Sequence, residues 1–398
     1  MNGSKVALEE LFNIGSSKRV LKSQWTTEGV PFYRGREITR LAKDGYVDNE
    51  LFISEGLYSD YEKKYGVPKS GDIVITAIGT IGNSYIVQEH DRFYFKDASV
   101  LWLNRKSDVS SEYINLWLKS PIFTEQLDEG NGATVDTLTI KKLQSVTVNL
   151  PPTPEQQRIV AILDQAFEGI AKARANAQQN LQNARALFES HLQSVFTQRG
   201  EGWINSTLKD IAAVFGRGKS KHRPRNDPKL YNGGKYPFIQ TGEIRNCNHL
   251  ITSYSQTYNE VGLAQSKLWP KGTLCITIAA NIAETGILDF DSCFPDSVIG
   301  VVVDEKKTSI KFLEYLLQSF KALLKSKGQG SAQDNINLGT FENQLFPFPP
   351  IDEQQSFVSK LDSLREQTQC LEALYQRKIV LLDELKKSLL QQVFAGEL

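Results

Sequence analysis

Two stretches of this 398-residue sequence carry residue types able to act on nucleic acid. The first is Pro295-Asp296 followed by Asp304-Glu305-Lys306. It fits the loose Pro-Asp…Asp/Glu-x-Lys pattern of metal-dependent nucleases. About 200 residues upstream, Lys96-Asp97 to Arg105-Lys106 has neither the Pro-Asp nor the Asp-x-Lys. The intervening residues 298–303 read as a plain buried strand, so a structural role is favoured; a nuclease using Asp296 and Lys306 is the rival. The second stretch is GRGKSKHRPR. It places Arg217, Lys219, Lys221, Arg223 and Arg225 within nine positions and holds no acid. Two glycines and a proline make it a loop. GSSKRVLKS supplies Lys18, Arg19 and Lys22 at the matching place upstream. Lysine and arginine pair with phosphate, and arginine forks onto guanine. Two basic loops therefore point to DNA, with Arg34, Arg36 and Arg245 completing the candidate set.

Other chemistry is missing. There is no GxxxxGK[ST] phosphate loop. GTIG at 79–82 is not followed by a long helix and reads as a turn. Asn149-Leu150-Pro151-Pro152 is not the Asn-Pro-Pro-aromatic motif of adenine methyltransferases, and Phe348-Pro349-Pro350 lacks the asparagine. His90, His191, His222 and His249 show no metal-ligand spacing. Cys247, Cys275, Cys293 and Cys370 form no CxxC pair, which argues against a disulfide framework or structural zinc and for a reducing cytoplasm. No run is long and apolar enough to span a membrane. The first residues carry acids where a signal peptide needs its apolar stretch, so no export signal is expected.

Lys+Arg and Asp+Glu both number 46, and hydrophobic residues make up 40%. That is ordinary globular composition. Zero net charge argues against bulk non-specific DNA binding unless the charge is uneven, and it is. Residues 1–150, 151–199, 200–348 and 349–398 carry net charges of −2, +1, +3 and −2.

The elements that must position the basic loops come from an internal repeat. Residues 151–200 and 349–398 align without a gap at an offset of 198, with 17 of 50 positions identical. Pro151-Pro152-x-x-Glu155-Gln156-Gln157 recurs as Pro349-Pro350-x-x-Glu353-Gln354-Gln355. Weaker echoes join 30–38 to 236–244, 70–83 to 271–287, 97–104 to 296–303 and 130–140 to 328–338. Both matching segments read as long helices. Thr153 with Gln156 has capping-box spacing, and Asp352 with Gln355 repeats it. Apolar residues then recur at threes and fours: Ile159, Leu163, Ala166, Ile170, Ala173, Ala177, Leu181, Ala184, Phe188, Leu192 and Val195. The second copy offers Phe357, Leu361, Leu364, Leu371, Tyr375, Ile379, Leu382, Leu390 and Val393. Near-heptad spacing over six turns predicts a coiled coil, with an alanine-rich stripe facing a leucine-rich one. The blocks between read as α+β. Strands are expected at Asp72–Ile78, Ser84–Val87, Val100–Leu103, Leu274–Ile278 and Val298–Val303, and helices near Glu112–Leu118 and Lys311–Lys325.

With the doubled PPxxEQQ motif at the head of two long helices, the chain resembles the specificity subunits of type I restriction-modification systems over essentially its whole length. The resemblance implies target recognition domains at 1–150 and 201–348, and spacer helices at 151–200 and 349–398. The helices would pair antiparallel, making a pseudo-two-fold internal repeat, and set the distance between the halves of a bipartite, non-palindromic site. Glu155, Gln156, Gln157, Glu353, Gln354 and Gln355 would help dock two methyltransferase subunits. Double-stranded DNA would be the ligand, and restriction/translocase subunits further partners. The chain would be cytoplasmic and non-catalytic, with no cofactor of its own; S-adenosylmethionine, ATP and Mg²⁺ would sit on its partners. A methyltransferase-only or phage-exclusion system is the alternative within the family, and a coiled-coil adaptor without a DNA role the alternative outside it.

Overall fold

The computed structural model describes residues 3–128, 137–279, 282–321 and 338–397. The echo between 130–136 and 328–337, and the end of the helix expected at 311–325, lie outside them. The chain divides into two compact units that do not follow the sequence segments. One is Met1–Gln178 with Gln376–Leu398, the other Gln179–Tyr375.

In the first unit the central sheet is antiparallel, in the order Phe12–Gly15, Val100–Arg105, Ile73–Thr76 and Ser84–Ile86. Ile73–Thr76 is buried at every position because both faces are covered. Ile73, Ile75, Leu101 and Leu103 face a core shared with Tyr113, Trp117 and Phe123. Val74 and Val100, one residue out of phase, face Ile38, Leu41 and Phe95 instead. A second sheet runs Trp25–Thr26, Phe52–Ile53, Val30–Tyr33, Tyr94–Phe95, its last pair parallel. Ser4–Ala7 pairs with Thr147–Leu150 just before the first long helix.

The second unit repeats this plan. Its central sheet runs Ala212–Arg217, Val298–Val303, Leu274–Thr277, Thr285–Leu288, with Leu250–Ile251 added at the edge. Its second sheet places Tyr236–Phe238 parallel to Ser292–Cys293, and Ile204–Ser206 pairs with Phe346–Phe348. The duplication therefore extends through the blocks where few identities survive. The expected helices are present as Ser111–Leu118 and Ile310–Ser319.

The long helices are Thr153–Thr197 and Ile351–Ala395, 45 residues each. At 1.5 Å per residue each extends roughly 68 Å. They pair antiparallel within each unit. In the first, Ile159 and Leu163 share a core with Leu390, Val393 and Phe394, and Arg174 Nε lies 2.9 Å from Asp383 Oδ1. In the second, Leu192 and Phe196 share a core with Val358 and Leu361, and Arg185 Nε lies 2.8 Å from Glu372 Oε2.

Two expectations about these helices are corrected. Leu371 is 39% exposed, whereas Thr368 is 2% exposed on the inward stripe. Position 371 falls outside the 361–364–368–372–375 phase, and Thr368 tolerates burial because its hydroxyl donates to the Arg365 carbonyl at 3.0 Å. The capping boxes are also absent. The carbonyls of Pro152 and Pro350 accept the first helical bonds, from Gln156 N at 3.1 Å and Gln354 N at 3.3 Å.

Candidate nucleic-acid interface

The first glutamine of each copy of the doubled motif, Gln156 and Gln354, is a structural clamp. Gln156 is 2% and Gln354 0% exposed. Gln156 Oε1 accepts from Ser110 N at 3.0 Å, and its Nε2 donates to the Pro151 carbonyl at 2.8 Å. Gln354 Oε1 accepts from Ser309 N at 3.1 Å and from the Thr308 hydroxyl at 2.9 Å. Its Nε2 donates to the carbonyls of Pro349, at 3.2 Å, and Lys307, at 3.1 Å. Ser110 and Ser309 are the N-caps of two matching domain helices, Ser111–Leu118 and Ile310–Ser319. Each buried glutamine thus ties the start of a long helix to the start of a domain helix. Of the residues expected to help dock partners, Gln156 and Gln354 are therefore enclosed and turned inward to hydrogen bonds of their own domain. Gln157, Glu353 and Gln355 are exposed, and half-buried Glu155 pairs with Arg158 at 2.7 Å.

The basic loops occupy equivalent places. Each leaves the edge strand of its central sheet, Phe12–Gly15 or Ala212–Arg217, and runs beside the parallel pair of the second sheet. In the first, Ser17 Oγ donates to the Phe95 carbonyl at 2.6 Å and Lys18 N to Tyr94 Oη at 2.9 Å. In the second, Gly218 passes so close to Phe294 that a Cβ would meet its carbonyl at 2.2 Å, which only glycine permits. The Lys219 carbonyl accepts from Ser266 Oγ at 2.8 Å, and His222 N donates to Gln265 Oε1 at 3.0 Å.

The five cations of the second loop are all exposed but not equally available. Arg217 Nε donates to the Asp296 carbonyl at 2.7 Å, and Arg225 Nη2 to its carboxylate at 2.7 Å. Arg223 Nη1 folds back on the carbonyls of Ser220 and His222. Lys219 and Lys221 make no ion pair among the described residues. Lys267 joins them, with its Nζ 3.5 Å from the Trp269 ring centroid. Burial, and then nearby Lys219, push its pKa below the ordinary lysine value. Reading the sequence missed Lys267 because it is a single lysine 46 positions beyond Lys221. In the first unit Lys18, Arg19 and Lys22 are exposed. Arg34 and Arg36 converge on buried Glu37, and Arg36 also reaches Glu50. Burial raises the Glu37 pKa, but the hydrogen bonds from the two arginines outweigh it and the net shift is downward. Arg245 is exposed near the end of the short helix Thr241–Asn246.

The nuclease pattern does not assemble. Asp296 precedes strand Val298–Val303 and Asp304 follows it, so they sit at opposite ends of an element roughly 20 Å long. Asp296 is engaged by Arg225, and the Asp304 carboxylate caps its own turn by accepting from Lys306 N at 3.1 Å. No group of three or more His, Cys, Asp or Glu suited to a metal ion occurs among the described residues. Among them, no helix is long and apolar enough to cross a membrane.

The two copies thus share one plan: an α+β unit bearing a basic loop, clamped through a buried glutamine onto the start of a long helix. The chain belongs to the type I restriction modification DNA specificity domain family, whose model matches twice, at residues 3–180 and 200–378. A Haemophilus influenzae chain named as a type I restriction enzyme specificity subunit is 33% identical over 172 residues, 42% of this chain and 41% of that one. The match thus spans under half the length of that relative. A solved structure described as the basis of complex assembly and conformational transition of the type I R-M system covers 100% of this chain and 99% of its own, with TM-score 0.78 and 18% identity. The HsdS subunit of Thermoanaerobacter tengcongensis covers 99% and 97%, with TM-score 0.64 and 19% identity. At these identities the two structures share the fold.

Proposed function

We propose that this chain is the DNA-recognition subunit of a type I restriction-modification complex, acting in the cytoplasm. Each unit reads one half of a bipartite, asymmetric sequence in double-stranded DNA. The carrying observation is the pair of equivalent basic loops, each placed beside a parallel strand pair in a duplicated domain. Lys219, Lys221 and Lys267 hold phosphate in one half-site; Lys18, Arg19 and Lys22 do so in the other. The long helices dock two methyltransferase subunits through exposed positions such as Gln157 and Gln355. Catalysis, with its S-adenosylmethionine, ATP and Mg²⁺, resides on those subunits and on restriction subunits.

The test is the salt dependence of binding to duplex DNA by the chain assembled with its modification subunits. Replacing Lys219 and Lys221 by alanine should weaken binding to every sequence and lower the salt slope by about two. An unchanged slope refutes the assignment. The purified chain alone, given S-adenosylmethionine, Mg²⁺ and ATP, should leave DNA unmodified, and turnover dependent on Asp296 would refute its non-catalytic role.

A further inference from the structure

The two units place different residues at one structural position. Strand Val30–Tyr33 leads into helix Gly35–Asp44 through the N-cap Arg34, and strand Tyr236–Phe238 leads into helix Thr241–Asn246 through the N-cap Gln240. The same capping contact marks them as equivalent. Arg34 N donates to Glu37 Oε2 at 2.9 Å, and Gln240 N donates to Glu243 Oε2 at 3.0 Å.

Each side chain is held by a neighbour with one edge left over. Arg34 Nε and Nη2 donate to the Glu37 carboxylate at 3.1 and 2.9 Å, while Nη1 makes no hydrogen bond among the described residues. Its Nη1–Nη2 edge therefore carries two fixed donors. Gln240 Nε2 donates one hydrogen to Gln256 Oε1 at 2.9 Å, keeping its second hydrogen and its carbonyl oxygen. One donor hydrogen and one acceptor oxygen of the amide thus stay available. Gln240 and Gln256 line a cleft of about 180 Å³ together with Arg225 and Asn226 of the basic loop. In the major groove guanine offers two acceptors, and adenine one donor and one acceptor.

We propose that Arg34 and Gln240 are paired specificity-determining residues, Arg34 reading a guanine in one half-site and Gln240 an adenine at the corresponding place in the other. This rests on the DNA-recognition reading above. Glu37 and Gln256 are positioning residues that fix the reading edges.

The experiment selects bound duplexes from a library randomised across both half-sites, using the full chain assembled with its modification subunits. Gln240→Arg places an arginine three residues before Glu243, the spacing of Arg34 and Glu37, at an exposed site where the Glu243 carboxylate also accepts from Ser255. It should move one base pair of one half-site from A·T to G·C, changing that preference by about 5- to 150-fold, with the other half-site and the spacer unchanged. Arg34→Gln should make the reverse change in the other half-site. Arg34→Lys keeps a cation on buried Glu37 but loses the fork, so it should relax the guanine preference while thermal unfolding stays near wild type. A wild-type bipartite motif that Gln240→Arg leaves unaltered overturns the assignment alone. A wild-type complex that enriches no bipartite motif overturns the DNA-recognition reading, and this inference with it.

Discussion

At the scale of single residues, the doubled motif was legible as a repeat but not as a clamp. Spacing showed that Gln156 and Gln354 matter twice, 198 residues apart. It could not show that their partners are Ser110 and Ser309, which lie 46 and 45 positions upstream. Replacing Gln354 by alanine removes a fully buried side chain that bonds the Ser309 amide, the Thr308 hydroxyl and two carbonyls. Urea denaturation should show a loss of about 2–4 kcal/mol, whereas exposed Gln355→Ala should stay within about 0.5 kcal/mol. Equal effects would mean that the motif is not anchored through Gln354. The cysteines follow a similar divide between inside and outside. Burial, and then Glu314, raise the Cys247 thiol to about 11, and burial raises Cys275 and Cys293, whereas Cys370 is exposed. At pH 8 one thiol should react quickly with an aromatic disulfide reagent in the native chain and four in denaturant; fast reaction of a second native thiol would contradict this burial. The Pro-Asp…Asp-x-Lys pattern shows the converse hazard. Its residues are the right types, but a continuous strand holds them apart, and only knowledge of that strand's ends separates the two cases.

At the scale of elements, the long helices were legible because near-heptad repetition persists over many turns. Ile159, Leu163, Ile170, Ala177, Ala184 and Leu192 are all buried as their spacing demands. Helices Gly35–Asp44 and Glu55–Tyr65 were missed because they are short and charged: the first is amphipathic but shows only Ile38 and Leu41 as buried apolar residues, and the second has little periodicity. Their signals are local: Ser54 Oγ accepts from Leu57 N at 3.3 Å, and Gly66 ends the helix at φ +79°. The first stripe buries small residues. Ala177 is 1% exposed, while its near neighbour Ala175 faces solvent. Ala177→Leu should overpack the seam and destabilise the protein by about 1–3 kcal/mol, with Ala175→Leu near neutral. Thermal unfolding of the two variants distinguishes a packed seam from two helices that merely run side by side, for which both changes would be harmless.

At the scale of the whole molecule, the units are discontinuous in sequence, which no reading by consecutive segments anticipates. The first unit takes residues 376–398 from the far end of the chain. Leu390, Val393 and Phe394 complete its core, and Phe394 meets Tyr113 edge-on with ring centroids 5.3 Å apart. A half-chain of residues 1–200 therefore lacks part of its own core. It also carries a substitute it cannot use on itself, because Leu192, Val195 and Phe196 stand 198 positions before Leu390, Val393 and Phe394 on the far stretch of its own helix. Two copies can exchange these stretches, each completing the other, and the contact is then isologous. The half-chain should run as a dimer by light scattering at micromolar concentration. Phe196→Ala should shift it toward monomer with loss of thermal stability, since removing a buried phenylalanine costs about 3–5 kcal/mol. On the DNA-recognition role proposed above, the dimer assembled with modification subunits should select a palindromic site, with the first unit's half-sequence on both sides. A stably folded monomer, or an asymmetric site, would show that the first unit does not depend on the borrowed helix.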